Sequence, residues 1–323
     1  MHQMLNLPLY TGSMEGYSGW KELGAELQKY GCDGIEGIWG GEEIPEEFPA
    51  EMVIGYHLMF YPDWLDFYRE KKDVLIGKFG NPDMVRMFFG GLGKDVLIEQ
   101  YRADLQRAKK LGASYVVFHV SDVSIEESYT YRWFHSNREV IEASAELINT
   151  ILEGDDWPFA FLVENQWWPG FTFTDPEETR ILLDGIRYKN KGILLDTGHL
   201  MNTCPQLRTQ SEGASYIHAM LDRHGSLTES IRGVHLHYSL SGDYVQKNTG
   251  PEVLPNLPAD YMERYGVNYG HILKIDQHLP WTDSSVRSVI ERIQPEYLTH
   301  ELTGGNRMER LKMLEQQMKI LMG

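Results

Sequence analysis

Short apolar, β-branched runs recur along this chain, and most of them stop at a histidine, aspartate or glutamate. VIGYH ends at His57, YVVFH at His119, FAFLVE at Glu164, GILLD at Asp196 and YLTHE at Glu301, while GVHLH carries His235 and His237. Helical periodicity fills the stretches between these runs, which is the pattern of βα units rather than of hairpins. Strands are predicted at Leu5–Leu9, Gly34–Ile38, Val53–Leu58, Tyr115–Val120, Phe159–Glu164, Gly192–Asp196, Gly233–Tyr238 and Tyr297–Glu301.

Eight such units in 323 residues predict an α/β chain folded as a single (β/α)8 TIM barrel spanning residues 1–323. The intervening helices carry their own punctuation. GWKELGAELQKYG places Leu23 and Leu27 four apart and stops at Gly31, and KDVLIEQYRADLQRAKKLGA stops at Gly112. In TDPEETRILLDGIRYKN, Asp175 and Pro176 read as N-cap and first helical residue, followed by acids in the first turn. A final helix from about Arg307 to Leu321 closes the ring. Two connections are too long for plain turns, at about 72–94 after the third strand and 239–275 after the seventh. Connections of that length are lids over a site or excursions packed on the rim, and the sequence weighs both equally.

In a parallel barrel the C-terminal strand ends converge on one face, where sites of this fold sit. Burying a carboxylate or imidazole at an apolar mouth is costly unless it is paired or metal-bound. For one histidine, a satisfied core residue is the better reading. Six strands delivering Glu, Asp or His to one rim point to a metal site instead. Carboxylate oxygens with imidazole nitrogens suit zinc or manganese first, with cobalt and magnesium as further options. In DTGHL, Asp196 and His199 lie three apart where strand turns into loop, and in IDQH, Asp276 and His278 share a face if extended. Aromatic residues gather near the same ends, notably Trp167 and Trp168 beside Glu164, and with His237 they are the expected substrate contacts.

The segments VIGYHLMF, VVFHVSD, FLVENQ, GILLDTGHL, GVHLHYS, IDQHLPW and YLTHEL resemble the xylose isomerase-like barrel superfamily, which holds sugar isomerases and epimerases together with the endonuclease IV family. The likeness spans strands three to eight. Similarity to the ketose epimerases implies one metal held by Glu164, Asp196, His235 and Glu301, with Glu164 and Glu301 also serving as the catalytic acid and base. Similarity to endonuclease IV implies three zinc ions: one on His57, His119 and Glu164, one on Glu164, Asp196, His235 and Glu301, and one on His199, Asp276 and His278. That family joins its equivalents of His235 and Asp276 by a short link, whereas this chain has a long one, so Asp276 and His278 either hold metal or meet substrate. His237 and His300 are further candidates to orient the ligands.

Three functions follow in order of expectation: a metal-dependent sugar isomerase or epimerase, a zinc-dependent phosphodiesterase or other hydrolase, and a non-catalytic metal-binding barrel. The expected partner is a small molecule, most simply a sugar. Lys and Arg number 30 against 47 Asp and Glu, and a net charge of −17 disfavours nucleic acid, whose binding rests on basic side chains. The two cysteines, Cys32 and Cys204, form no disulfide framework, and no signal-like or membrane-spanning run is present. A reducing, cytoplasmic setting is expected. Barrels of this kind often pair through their helical shell, so a homo-oligomer is an open expectation, with no interface signature in the sequence.

Overall fold

The computed structural model describes residues 1–45 and 47–322. Its strands are β1 His2–Leu9, β2 Gly34–Trp39, β3 Val53–His57, β4 Tyr115–His119, β5 Ala160–Glu164, β6 Lys191–Asp196, β7 Ile231–His235 and β8 Tyr297–His300. They pair in parallel in that order, and β1 closes on β8 through His2–Tyr297 to Leu5–His300, giving a closed TIM barrel. The helices before β5 are α1 Trp20–Lys29, α2 Leu65–Tyr68, α3 Lys72–Phe79, α4 Pro82–Phe89, α5 Lys94–Leu111, α6 Ile125–Thr130 and α7 Asn137–Leu152. After β5 come α8 Pro176–Gly185, α9 Thr197–Asn202, α10 Gln210–His224, α11 Gly242–Asn248, α12 Tyr261–Ile272, α13 Val286–Ile293 and α14 Arg307–Met322. None is long and apolar enough to cross a membrane.

Each strand lies where an apolar run predicts it, with shifted ends. β7 stops at His235 because Tyr238 leaves the parallel ladder and pairs antiparallel with Leu279, its N–H donating to the Leu279 carbonyl at 2.8 Å. α8 starts as expected, with the Asp175 side chain accepting from Glu177 N at 2.9 Å, but ends at Gly185 because Ile186 turns extended. α5 ends on Gly112 in the left-handed conformation that glycine adopts cheaply.

Two apolar layers hold the molecule. Helix faces pack on the outside of the barrel, while Met4, Tyr115, Val117, Leu162 and Leu194 plug its interior. Above that plug the interior becomes polar, at Glu36 and Thr299, and then strongly so at the strand ends.

The two long connections are both helical. Residues 72–94 form the α3–α4 pair, and 239–275 contain α11 and α12. They pack on each other: the ring of Phe79 stacks on Tyr261 at 4.1 Å, and Arg264 donates to the Lys78 carbonyl at 2.9 Å. On its other side α12 is fastened to α6, where Ser128 Oγ donates to Asn268 Oδ1 at 2.7 Å and Tyr129 stacks on His271 at 4.0 Å. Residues 238–240 and 277–279 close the base of the second excursion, with Gln277 N donating to Ser239 Oγ at 2.9 Å and Leu240 N to Gln277 Oε1 at 3.1 Å.

Candidate metal centre

Strand ends set the site. His57, His119, Glu164, Asp196 and His235 are the last residues of β3 to β7, and Glu301 follows β8 directly. Asp196 also caps α9, its Oδ1 accepting from His199 N at 2.6 Å, so the turn from strand to helix brings His199 to the same rim. Gly198 lies between them because a Cβ there would stand 2.0 Å from the His237 ring. The antiparallel rung at Tyr238–Leu279 pins the returning chain and delivers Asp276 and His278 despite the long excursion.

These side chains form three adjoining groups of possible ligands, each with its ligand atoms within 4.8 Å of one another. In the first, His57 Nε2 and His119 Nε2 are 3.0 Å apart and lie 3.3 and 3.1 Å from Glu164 Oε2. The second contains Glu164, Asp196, His235 and Glu301, with His235 Nδ1 3.0 Å from Glu301 Oε2 and 3.6 Å from Glu164 Oε1. The third contains His199, His237, Asp276 and His278, with Asp276 Oδ2 3.2 Å from His199 Nε2 and 2.7 Å from His278 Nε2. Glu164 links the first two and also reaches the third, with Oε1 3.0 Å from His199 Nδ1.

The donor set fits divalent cations on a structural test. His235 Nδ1, His278 Nε2 and Glu301 Oε2 each lie close to an oppositely polar atom, yet none is aligned in a hydrogen bond, and His237 Nδ1 is likewise buried without a partner. Orphaned buried polar atoms are rare in folded proteins. Here they belong to residues of the second and third groups, whose possible ligand atoms lie within 4.8 Å of one another, a spacing that a shared cation would fit. Charge makes the same demand. Burial resists ionisation of Glu164, but the imidazoles of His119 and His235 hold its carboxyl well below the usual range. Glu301 is held down in the same way by His235 and His278 against its burial. Burial opposes the charged form of His278, yet Asp276 and Glu301 push it up to about 9. Metal cations held at these groups would supply the balancing positive charge without protonating the ligand nitrogens.

Beneath the rim lies a residue that the sequence reading passed over. Glu36, buried in the middle of β2, accepts from Tyr115 Oη at 2.6 Å and sits 2.8 Å from His235 Nε2. It fixes which nitrogen of His235 faces the second group. The available signal was a lone acid centred in the strand GIEGI. Gln166 was missed too; its Nε2 lies 3.0 Å from His199 Nδ1 and 3.4 Å from Glu164 Oε1.

All nine residues of the three-ion pattern therefore meet. His237, expected to touch substrate, is wholly buried, with Nε2 2.9 Å from Asp196 Oδ2 and its ring 4.4 Å from that of His278. Trp167 stands 5.0 Å from the His199 ring, and both it and the more deeply buried Trp168 line the cleft. His300 does not orient a ligand: it points out of the barrel to Gln3 Oε1 at 3.1 Å and Gln317 Nε2 at 2.8 Å.

A closed parallel barrel whose C-terminal rim gathers possible metal ligands defines a TIM barrel as the class of this protein. The chain belongs to the xylose isomerase-like TIM barrel family, which matches it over residues 24–294. No curated protein matches it by sequence. Among solved structures it resembles L-ribulose 3-epimerase (10% identity, TM-score 0.54, covering 98% of this chain and 92% of that one). It also resembles endonuclease IV from Thermus thermophilus (16% identity, TM-score 0.51, 99% of both chains). D-psicose 3-epimerase is similar as well (11%, 0.50, 99% and 97%). At such identities these likenesses show the shared fold.

Proposed function

We propose that this protein is a hydrolase that works with two or three divalent cations on a phosphoric ester of a small molecule. The observation that carries the reading is the position of Glu164. It has no exposed surface, and its two oxygens are divided between His57 and His119 on one side and His199 and His235 on the other. That arrangement suits a bridging ligand and leaves Glu164 badly placed to exchange a proton with a substrate carbon.

Charge supports more than one cation. Glu36, Glu164, Asp196, Asp276 and Glu301 are gathered around one rim and the barrel interior below it. A single divalent ion leaves most of that negative charge unbalanced, whereas three roughly neutralise it. His57 and His119 with Glu164 would hold the first ion, and Asp196, His235 and Glu301 with Glu164 the second. His199, Asp276 and His278, with His237 close by, would hold the third. Bound there, such ions supply Lewis acidity to phosphoryl oxygens and lower the pKa of an attacking water. Glu36 holds His235 in one orientation, Gln166 steadies Glu164 and His199, and Trp167 and Phe60 line the cleft above the rim. A net charge of −17 and a cleft without lysine or arginine among its described lining residues favour a small ester over nucleic acid.

A second reading is a sugar isomerase or epimerase with one zinc or manganese ion. It is favoured by the second group, which is complete as a four-ligand site on its own, and by the aromatic faces of Phe60 and Trp167, which suit a sugar ring. There Glu164 and Glu301 would move the substrate proton. Elemental analysis of undialysed protein, with assays on bis(p-nitrophenyl) phosphate and a ketose panel, separates the two. Two to three equivalents of metal and ester hydrolysis are expected. One equivalent with ketose epimerisation would replace the first reading by the second, and failure to take up metal on reconstitution would sink both.

A further inference from the structure

The cleft above the ligand groups has one wall that no barrel strand supplies. α12, inside the long connection after β7, turns Tyr265, Tyr269 and Ile272 toward it, and Leu273 follows at the helix end. Phe60 and Trp167 face them from the loops after β3 and β5. Tyr269 is 57% exposed, Phe60 44% and Leu273 40%, so large apolar surface is left open to water inside a concavity. Surface of that kind marks a binding site. The cavity holds about 240 Å³, a small-molecule size, and no lysine or arginine is among its described lining residues.

The wall is also fixed. Asn268 and His271 fasten α12 to α6, Tyr261 and Tyr265 pack against Phe79 and Phe88 of the α3–α4 pair, and the excursion is closed at its base by the Tyr238–Leu279 rung. Two of its polar side chains are used in this anchoring: the Asn268 carbonyl accepts from Ser128, and His271 lies between Ser128 O and Tyr244 Oη. A polyol placed against Ile272 and Leu273 would leave hydroxyls unpaired, which costs binding energy. A polyanion would find no cation on the wall. A flat apolar group would instead stack on Phe60, Trp167 and Tyr269.

We propose that α12 is a specificity wall that selects substrates whose non-reacting part is an aryl or similarly bulky uncharged apolar group, held so that the oxygen-bearing group reaches the metal ligands. This names the substrate class for the metal centre and rests on the metal-binding part of the reading above. The probes are benzohydroxamate and acetohydroxamate, which share one chelating group and differ by phenyl against methyl. Titration calorimetry on the metal-loaded protein is expected to show benzohydroxamate binding about ten- to a hundredfold more tightly. In a Tyr269→Ala/Leu273→Ala double variant, whose substitutions fall on exposed positions, the ratio is expected to drop below about threefold, with metal content and unfolding temperature kept. Equal affinities in the parent protein would overturn the proposal, as would a ratio that survives in the variant or failure of benzohydroxamate to bind. Loss of the hydrolase reading looks different: no turnover of bis(p-nitrophenyl) phosphate while the aryl preference and its dependence on α12 persist.

Discussion

His300 and Glu301 are neighbours with opposite duties. Alternation at the end of β8 sends Glu301 to the rim and His300 outward, into a fully buried slot between Gln3 and Gln317. Burial disfavours the charged imidazole and lowers its pKa to about 3, from an ordinary 6.5. A depressed folded-state pKa contributes stability that is present above the unfolded value and is lost as pH falls through the folded one. His300→Gln removes that titration. The parent's stability advantage over the variant is therefore expected to shrink by a few kcal/mol between about pH 7 and pH 4, read by urea unfolding. A gap independent of pH would rule out the buried neutral imidazole. Glu36 is the contrasting residue: a buried acid whose partners Tyr115, Thr299 and His235 come from three other strands, so its role depends on contacts across the barrel.

Between residue and barrel stands the loop after β5. It carries Gln166, Trp167 and Trp168, and it folds back on β4 through Gln166 N to Phe171 O and Phe171 N to Val120 O, both 2.8 Å. Gly170 makes this return with φ +134°, and a Cβ there would lie 2.2 Å from the Val120 carbonyl. Gly170→Ala is expected to cost about 2 kcal/mol or more, from strain and clash together. It should also shift the tryptophan fluorescence, because the Trp167–Trp168 pair moves with the loop. Denaturant unfolding with fluorescence detection reads both, and a stability within about 0.5 kcal/mol of the parent would refute the close approach. The two long connections belong to the same scale. Their lengths were plain in the sequence. That they contain helices packed on each other and on α6 came from the Phe79–Tyr261 stack and the Ser128–Asn268 bond, which link residues far apart in the chain.

At the scale of the molecule, the apolar plug of the barrel carries a negatively charged rim, in a chain already at −17. Cations that bind the folded rim and not the unfolded chain stabilise by mass action. Exhaustive chelation is expected to lower the melting temperature by roughly 5–10 °C, and zinc or manganese to restore it, as read by calorimetry. A melting temperature indifferent to chelator in metal-bearing protein would mean that the ions bind too weakly to explain the buried carboxylates.

The sequence by itself determined the eight strands, their order and the acids and histidines that close them; the resemblance added the rest of the nine rim residues that the fold brings together. Strand ends in a parallel barrel share one face, so a polar residue closing an apolar run already has its place. It could not determine the distances that hold those residues in three adjoining groups, which nitrogen of His235 faces inward, or that His237 joins the third group with no surface exposed. Those features arise from distances between different strands and from the rung that returns Asp276 and His278 to the rim. The α12 wall was out of reach for the same reason: its apolar face reads as ordinary helix packing until the tertiary fold leaves part of that face open above the rim.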